Sequence, residues 1–392
     1  MPTRQGWTIL VGSVIALVVG RVFGILELFV IGAALAVAVA AAVLVIRLRP
    51  PLLAVHRWVH PSVLTVGDTG RVDLSIENRS GLRSPPVRLS EPVGRQNSAQ
   101  LSIDPLLAGE EVHAGYAVPA VRRGTLTIGP TTVIRRDVLG LASEARLVAT
   151  ATDVTVAPRT FDLAMPSLGH GVLGRHLLAL AQRTGVGEFH SLRDYVPGDE
   201  PRSIHWRASA RSEELKVRQH EAQGVRRCIV VLDCDADSYP DPIDDEAADV
   251  FERAITIAGS IALSAERTGL TTRFVTGGGV DLRGPEVAIH TLERLARLEL
   301  GPAVGDLERD PGEGLGLVVV ITSSPTSTLW RRPDRNVDPA LTRIGIFTQP
   351  DAAVRGRLDV DASTLASFRE RWQILAGQRG LTREIHASGV PA

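Results

Sequence analysis

Cysteine and lysine are both scarce in this chain of 392 residues. The two cysteines, Cys228 and Cys234, lie in and just after one apolar run, and residues six positions apart in a strand are too distant for a disulfide bond. We therefore expect reduced, buried thiols. Of the 43 basic residues only Lys216 is a lysine, so any chemistry that requires lysine has one candidate position.

The chain also lacks the motifs of several enzyme classes. A P-loop needs lysine directly after glycine, whereas Lys216 follows Leu215, so any ATP hydrolysis must come from a partner. His220 begins like a zinc-protease helix, but Gly224 occupies the position of the second histidine. No G-x-S-x-G nucleophile elbow occurs. The net charge of −1 gives no general attraction to nucleic acid, and we expect no nucleic-acid role.

The amino-terminal part is almost entirely apolar from Trp7 to Ile46. A single helix of that length would extend ~60 Å, against a hydrocarbon core of ~30 Å. The sequence therefore predicts a transmembrane hairpin within residues 1–50, with spans at about residues 7–23 and 26–46.

Arginine on both flanks of this hairpin predicts its orientation. Arg4 precedes the first span and Arg47 and Arg49 follow the second, and positive charge favours the cytoplasmic side of a membrane. We expect a protein of the plasma (inner) membrane with both termini in the cytoplasm. A cleaved signal peptide with Thr8–Gly20 as its apolar region is the alternative, which the second apolar stretch disfavours.

Residues 51–160 alternate between apolar and polar positions in short runs, most cleanly at Arg71–Glu77. Similar runs, separated by turns that contain proline or glycine, occur at Val63–Val66, Val87–Leu89, Gln100–Ile103, Val112–Val118, Thr125–Ile128 and Val154–Val156. The pattern predicts an antiparallel β-sandwich. It contains no catalytic constellation, so we interpret it as a binding or spacer module.

We interpret residues 161–227 as a connector between the β-sandwich and the carboxyl-terminal domain. Gly169–Gly174 matches the dinucleotide pattern G-x-G-x-x-G and precedes a helix-like stretch. A dinucleotide site needs a strand directly before that loop, and Pro166 with its polar neighbours denies it one. We therefore interpret this loop as part of the connector.

The end of the connector, residues 187–221, is the densest in charged, aromatic and turn-forming residues. Buried charges must be paired, so a set this large implies a polar network or a partner surface. The set comprises Arg193, Asp194, Asp199, Arg202, His205, Trp206, Arg207 and Arg211. Asp199 and His205 could form an acid/base pair, but docking, with Arg202 paired to Asp199, is the interpretation that we favour.

This segment resembles the signature of the bacterial family called domain of unknown function 58 (DUF58). The family pattern is R-x-Y-x-x-G-D, then arginine, then a hydrophobic residue and tryptophan. The residues on that pattern are Arg193, Tyr195, Gly198, Asp199, Arg202, Ile204 and Trp206. Upstream, Asp137–Leu141 resembles a turn of the same family, and we expect Asp137 to be a turn residue.

Residues 228–392 alternate strand and helix patterns. Cys228–Leu232 is a continuous, β-branched run typical of a central parallel strand, and Ala247–Arg267 has helical periodicity. The later elements are the helices Pro285–Leu298 and Ser363–Leu375 and the strands Thr272–Thr276, Leu317–Thr322 and Arg343–Thr348. Such alternation predicts a doubly wound α/β domain, and the family resemblance implies that it is von Willebrand factor A-like.

Three carboxylates, Asp233, Asp235 and Asp237, follow the first strand of this domain, where ligands of such sheets bind. They are candidate ligands for Mg²⁺ or Ca²⁺. The von Willebrand pattern D-x-S-x-S has serine where this chain has Asp235 and Asp237, and Thr322 stands near the place of a later aspartate. A solvated acidic loop is therefore an equal alternative.

Two other metal-dependent interpretations of this loop are weaker. A calcium loop with D-x-D-x-D spacing would need glycine where Ser238 stands, and prolines interrupt it. A haloacid-dehalogenase-like phosphatase begins with a strand and Asp-x-Asp but needs a downstream basic residue, whereas Lys216 lies upstream.

Two functions follow from these observations. The resemblance implies a membrane-anchored, cytoplasm-facing adaptor that works with a MoxR-type AAA+ ATPase in client remodelling or cell-envelope processes. The alternative is a metal-dependent hydrolase that uses Asp233, Asp235 and Asp237.

Overall fold

The structure, a computed structural model, describes residues 1–48, 51–184, 188–196, 204–212, 214–221, 224–240, 245–305, 314–332, 338–350 and 356–377. The chain divides into two compact units, Met1–Ala157 and Pro158–Ala392.

The first unit begins with two apolar helices, α1 (Arg4–Phe23) and α2 (Leu26–Leu48). Both are long and apolar enough to cross a membrane by length and composition, which suggests membrane anchoring. The two helices pack closely because Gly20 of α1 lies against the backbone of α2. A Cβ on Gly20 would be 2.6 Å from the amide nitrogen of Phe29. The hairpin turn lies between residues 23 and 26, where the sequence predicts it.

Two β-sheets follow in the same unit. One has the strand order β1-β3-β6, and the other has the order β2-β10-β7-β4-β8-β9 with β5 paired to β4. All pairings are antiparallel except that of β2 with β10. The strands are β1 (Leu53–His60), β2 (Val63–Thr65), β3 (Thr69–Asn78), β4 (Val87–Val93), β5 (Asn97–Ile103), β6 (Glu111–Pro119), β7 (Gly124–Ile128), β8 (Thr131–Arg136), β9 (Ser143–Ala149) and β10 (Thr152–Ala157).

The two sheets pack face to face through one apolar core. Leu74 and Ile76 of β3 are buried there against residues such as Leu89 of β4 and Val154 of β10. These apolar residues alternate with polar ones along their strands, which is the periodicity on which the sandwich prediction rests. The sequence patterns did not reveal β1, β8 or β9.

A buried ion pair crosses this core between Arg57 of β1 and Glu91 of β4, whose side chains are 4% and 1% exposed. The Glu91 carboxylate also accepts hydrogen bonds from the hydroxyls of Tyr116 and Thr131. Burial, reinforced by the Glu91 carboxylate, raises the pKa of Tyr116. Protein groups thereby provide hydrogen-bond partners for both buried charges.

The second unit is built on a six-stranded mixed sheet with the order β15-β14-β13-β16-β17-β18. Its five neighbouring strands β14, β13, β16, β17 and β18 are parallel, and β15 is an antiparallel edge. The strands are β13 (Arg227–Leu232), β14 (Thr271–Thr276), β15 (Val280–Leu282), β16 (Gly316–Thr322), β17 (Leu341–Phe347) and β18 (Val360–Asp361). The helices are α3 (Gly171–Thr184), α5 (Asp245–Arg267), α6 (Val287–Ala296), α7 (Thr328–Arg331) and α8 (Leu365–Ala376).

Helices cover this sheet unequally. The larger core lies on one face, where α3, α5, α6 and α8 pack against side chains such as Val230 and Ile321. The smaller core, on the other face, joins Val231 and Val318 to Leu329 of α7. Both faces of the central strands are therefore apolar, as expected for a parallel sheet.

The glycine-rich loop before α3 has a packing role. Gly171 has φ of 64°, and a Cβ there would lie 2.4 Å from the backbone of Gly377 at the end of α8. Leu173 and Leu177 of α3 are buried in the larger core. This part of the predicted connector belongs to the α/β unit because its apolar side chains complete that core.

Candidate functional site

The described residues of the charge-rich segment form a β-hairpin with a short helix beside it, which we call the signature hairpin (residues 188–196, 204–212 and 214–221). Strand β11 (Glu188–Asp194) pairs antiparallel with β12 (Lys216–Glu221), and Arg193 stands opposite Val217. Ile204 forms a further bridge to Val217. The side chains of Ile204 and Val217 are buried, at 9% and 3% exposure. They attach the segment before the short helix to strand β12.

Backbone hydrogen bonds close the hairpin around its signature residues. The amide of Tyr195 donates to the carbonyl of Leu215, and the amide of His205 donates to the carbonyl of Lys216, both at 2.8 Å. Helix α4 (Trp206–Ser209) starts directly after His205. The Ser209 hydroxyl accepts from the Lys216 amide at 2.8 Å, so the helix is held against β12.

His205 caps the helix α4. Its Nδ1 atom accepts a hydrogen bond from the amide of Ala208 at 3.0 Å, so that nitrogen is unprotonated in this arrangement. The sequence hypothesis of an acid/base pair between His205 and Asp199 involves positions outside the described residues, since Gly198, Asp199 and Arg202 lie there. The role that the structure shows directly for His205 is the capping of α4.

A surface ion pair joins the two strands, between Lys216 and Asp194. The hydrogen bond from Lys216 lowers the pKa of the Asp194 carboxyl, and the same bond raises the pKa of the Lys216 ammonium. The one lysine of the chain therefore serves as a cross-strand cation. Sequence reasoning counted Lys216 but missed this pairing, which only the register of the hairpin reveals.

The outer side of the hairpin is aromatic and basic. Trp206 is 66% exposed, although tryptophan is seldom left in water without a partner. Beside it lies a shallow pocket of about 380 Å³ lined by His205, Arg207, Ala208, Arg211, Ser212 and Lys216. An exposed tryptophan next to arginines is the composition that carries most of the binding energy in protein interfaces.

The acidic loop lies at the carboxyl ends of two central strands. Asp233 follows β13, and Thr322 ends the neighbouring strand β16, where the chain's path across the sheet reverses. The Thr322 hydroxyl donates to the Asp233 carboxylate at 2.8 Å, and the Asp235 amide donates to it at 3.0 Å. Burial raises the pKa of Asp233, although these hydrogen bonds oppose the shift.

The three carboxylates of the loop differ in their surroundings. Asp233 is 1% exposed, the Asp235 carboxylate accepts from the amide of Asp237 at 3.2 Å, and Asp237 itself is exposed. Across the ranges described, no three His, Cys, Asp or Glu residues form a group able to hold a metal ion. The structure thus does not gather Asp233, Asp235 and Asp237 into one site, and the metal hypothesis stays a prediction.

Both cysteines are buried thiols, Cys228 near the start of β13 and Cys234 in the acidic loop. Burial raises the pKa of Cys228 to about 12, so its reactive thiolate is disfavoured. The thiol of Cys234 donates to the carbonyl of Pro302 at 3.4 Å. Both cysteines are reduced, as the sequence indicates.

One family model matches a stretch that includes most of the signature hairpin and the acidic loop. Residues 191–297 match the family model described as Protein of unknown function DUF58. The resemblance read from the signature is thereby confirmed for this part of the chain. No curated protein sequence matches.

Solved structures resemble the chain only locally. The CARDB domain of the PF1109 protein from Pyrococcus furiosus, solved with di-metal ions, is 18% identical, with a TM-score of 0.21 over 27% of this chain and 93% of that chain. The alkylpurine DNA glycosylase AlkC from Pseudomonas fluorescens, bound to DNA with an abasic site analog, is 12% identical, with a TM-score of 0.22 over 33% and 39%. A β-glucosidase from Listeria innocua with glucose is 13% identical, with a TM-score of 0.19 over 27% and 16%. Similarities this low carry no functional argument.

Proposed function

We propose that this DUF58-containing chain is a membrane-anchored adaptor, with both termini in the cytoplasm, whose signature hairpin docks a MoxR-type AAA+ ATPase. The exposure of Trp206 beside Arg207 and Arg211 is the observation that carries the proposal. The choice of partner comes from the family resemblance, and it agrees with the missing P-loop, because any ATP hydrolysis must then come from a partner.

The chemistry of the surface favours an acidic partner site. Arg207, Arg211 and Lys216 line one pocket with His205, and the described residues of its lining include no carboxylate. Arginine forms bidentate hydrogen bonds with carboxylates, and tryptophan contributes a large apolar area. A groove on the ATPase that combines an apolar pocket with aspartate or glutamate would complement this surface.

We also propose that the second unit is a von Willebrand factor A-like domain. The order of its sheet, with one antiparallel edge strand and an aspartate directly after the central strand β13, supports this assignment. In the adaptor this domain would serve as the rigid body that carries the signature hairpin and presents a client to the ATPase.

The hydrolase alternative has less support. Its carboxylates would have to converge on one cation, whereas Asp233 is already hydrogen-bonded to Thr322 and to the Asp235 amide. Turnover of a phosphate or peptide substrate that depends on Mg²⁺ or Ca²⁺ and disappears in Asp233→Asn would reverse this preference.

A binding assay tests the proposal. The full chain, reconstituted in lipid nanodiscs, is immobilised, and the MoxR-type ATPase of the same organism is added with ATP, ADP or no nucleotide. We expect nucleotide-sensitive binding that Trp206→Ala weakens at least ~30-fold, because a central interface tryptophan contributes about 2 kcal/mol or more.

Trp58→Ala is the matched control, because Trp58 is also an exposed tryptophan, at 48%, but lies on β1 of the other unit. It should bind like the wild type. Equal affinity of the wild type and Trp206→Ala, or no binding at all, would contradict the proposal.

A further inference from the structure

The loop between β8 and β9 (residues 137–142, the β8–β9 loop) is attached to the beginning of the membrane hairpin. The Thr3 hydroxyl donates to the carbonyl of Gly140 at 2.6 Å, and the Thr3 amide donates to that of Leu141 at 2.9 Å. The amide of Ser143 donates to the carbonyl of Met1 at 2.8 Å. The first residues of the chain therefore run along this loop, where Pro2 forms an isolated antiparallel bridge with Ala142.

The loop lies beside the helices and not merely at their end. A Cβ on Gly6 would be 2.0 Å from the carbonyl oxygen of Leu141, so the loop backbone touches the first turn of α1. Leu141 and Ala142 are buried in one cluster with Val39 and Ile46 of α2. Val39 precedes the end of α2 at Leu48 by nine residues, or ~13 Å along the helix axis.

The loop forms several hydrogen bonds within itself. The Asp137 carboxylate accepts from the amides of Leu139 at 3.0 Å and Ala142 at 2.6 Å, and the Gly140 amide donates to the carbonyl of Asp137 at 3.0 Å. Gly140 allows this turn because its φ is 70°. These internal hydrogen bonds lower the cost of moving the loop into an apolar environment.

The tip of the loop is apolar and points away from protein. Val138 is 103% exposed and Leu139 is 63% exposed. The two helices beside which the loop lies also expose apolar side chains, among them Trp7, Val11, Leu44 and Val45. In water two adjacent bare aliphatic side chains are unfavourable, whereas in lipid each is worth about 1.5–3 kcal/mol when buried.

Exposed arginines surround this end of the hairpin, as expected at a lipid headgroup layer. Arg4 begins α1, Arg47 lies in the last turn of α2, and Arg136 directly precedes the loop. Their guanidinium groups can bind lipid phosphates while their stems follow the apolar surface. Charge and exposed apolar area thus occur together beside the same helix ends.

We propose that the β8–β9 loop inserts Val138 and Leu139 into the lipid bilayer beside the hairpin, so that the β-sandwich is held against the membrane surface. This inference rests on the hairpin spanning the membrane, which is part of the proposed function. A loop clamped at both Thr3 and Gly6 would fix the sandwich relative to the bilayer instead of leaving it on a free tether.

Site-directed fluorescence tests the insertion. Leu139→Cys, in the full chain in vesicles of phosphatidylcholine and phosphatidylglycerol, is labelled with an environment-sensitive fluorophore, and the unlabelled wild type with its two buried cysteines serves as the blank. We expect quenching by lipids with a spin label near the headgroup and at least several-fold protection from aqueous iodide, compared with a label at position 121.

Two matched positions make the outcomes distinct. A label at Trp7→Cys reports on the first turn of α1. Val121 is an exposed loop residue after β6. The pairing of β6 with β3 and of β3 with β1 places Val121 at the end of the sheet away from the start of β1, so Val121→Cys is the aqueous control. Suppose that the label at position 139 behaves like the label at position 121, while the label at position 7 is quenched by lipid. This result would overturn the proposed loop insertion and leave the membrane anchor intact. Aqueous behaviour at both 7 and 139 would overturn the anchor and the insertion together.

Discussion

The ammonium group of Lys216 forms an ion pair with the carboxylate of Asp194 directly across the two strands of the signature hairpin. Both side chains are solvated, so the pair is worth little to stability. Its position matters more, because it fixes one positive charge of the pocket beside Arg207 and Arg211.

Replacement of Lys216 by methionine should therefore change the titration of the Asp194 carboxyl and leave the fold intact. Because Lys216 lowers the pKa of Asp194, the ion pair is complete above the ordinary carboxyl pKa and is lost as the pH falls through the lowered value. In Lys216→Met the pKa of Asp194 should rise toward its ordinary range. Carboxyl carbon NMR shifts against pH measure this, with Glu299→Gln as a distant control. An unchanged titration of Asp194 in the methionine variant would contradict the pairing.

The buried carboxyl of Asp233 should give the protein a pH-dependent stability of the opposite sense. Burial raises its pKa in the folded state, so the free energy of unfolding should fall as the pH rises from ~3.9 through the raised value. Asp233→Asn should remove this decline, because asparagine does not titrate. The fold should be kept, because asparagine can still accept a hydrogen bond from the Asp235 amide and pair with Thr322.

Thermal unfolding of the full chain in detergent between pH 4 and 8 measures this effect. Asp237→Asn, a substitution at the exposed acid of the same loop, should keep the wild-type pH profile. If Asp233→Asn kept that profile too, the buried carboxyl would not be its source.

The ion pair inside the β-sandwich should be the most sensitive polar contact of the first unit. Glu91→Ala would leave the buried guanidinium of Arg57 without its partner, which costs about 3–5 kcal/mol, and would also free the hydroxyl of Tyr116. Asp73→Ala removes the exposed pair with Arg71 and should cost at most about 1 kcal/mol. Denaturant unfolding compares the two variants. Similar losses in both would show that the buried network contributes no more than a surface pair.

Periodicity explains why much of the architecture was predictable from the sequence. Arg71–Glu77 alternates because one face of β3 is buried in the sandwich, and Cys228–Leu232 is continuously apolar because both faces of β13 are covered. The two amino-terminal helices are both long and almost wholly apolar, so the hairpin could be predicted from length and composition together. Asp137 was expected to be a turn residue, and its carboxylate organises the β8–β9 loop.

The contacts that define the candidate site depend on register, which no local pattern encodes. Thr322 is 89 residues from Asp233, and only the adjacency of β13 and β16 brings its hydroxyl to that carboxylate. The capping role of His205 likewise depends on where α4 starts. A hydroxyl residue at the end of a neighbouring parallel strand was the available signal for Thr322, but its meaning required the strand order.

The docking role of Trp206 is tested most directly by photo-crosslinking in cells. A photoreactive phenylalanine analogue replaces Trp206 in the full chain, and a second chain carries it at Trp58, the exposed tryptophan of the β-sandwich. After irradiation, mass spectrometry should identify the MoxR-type ATPase joined to position 206, with a yield at least ten-fold above that at position 58. Equal yields at the two positions, or an ATPase absent from the products at 206, would contradict the account.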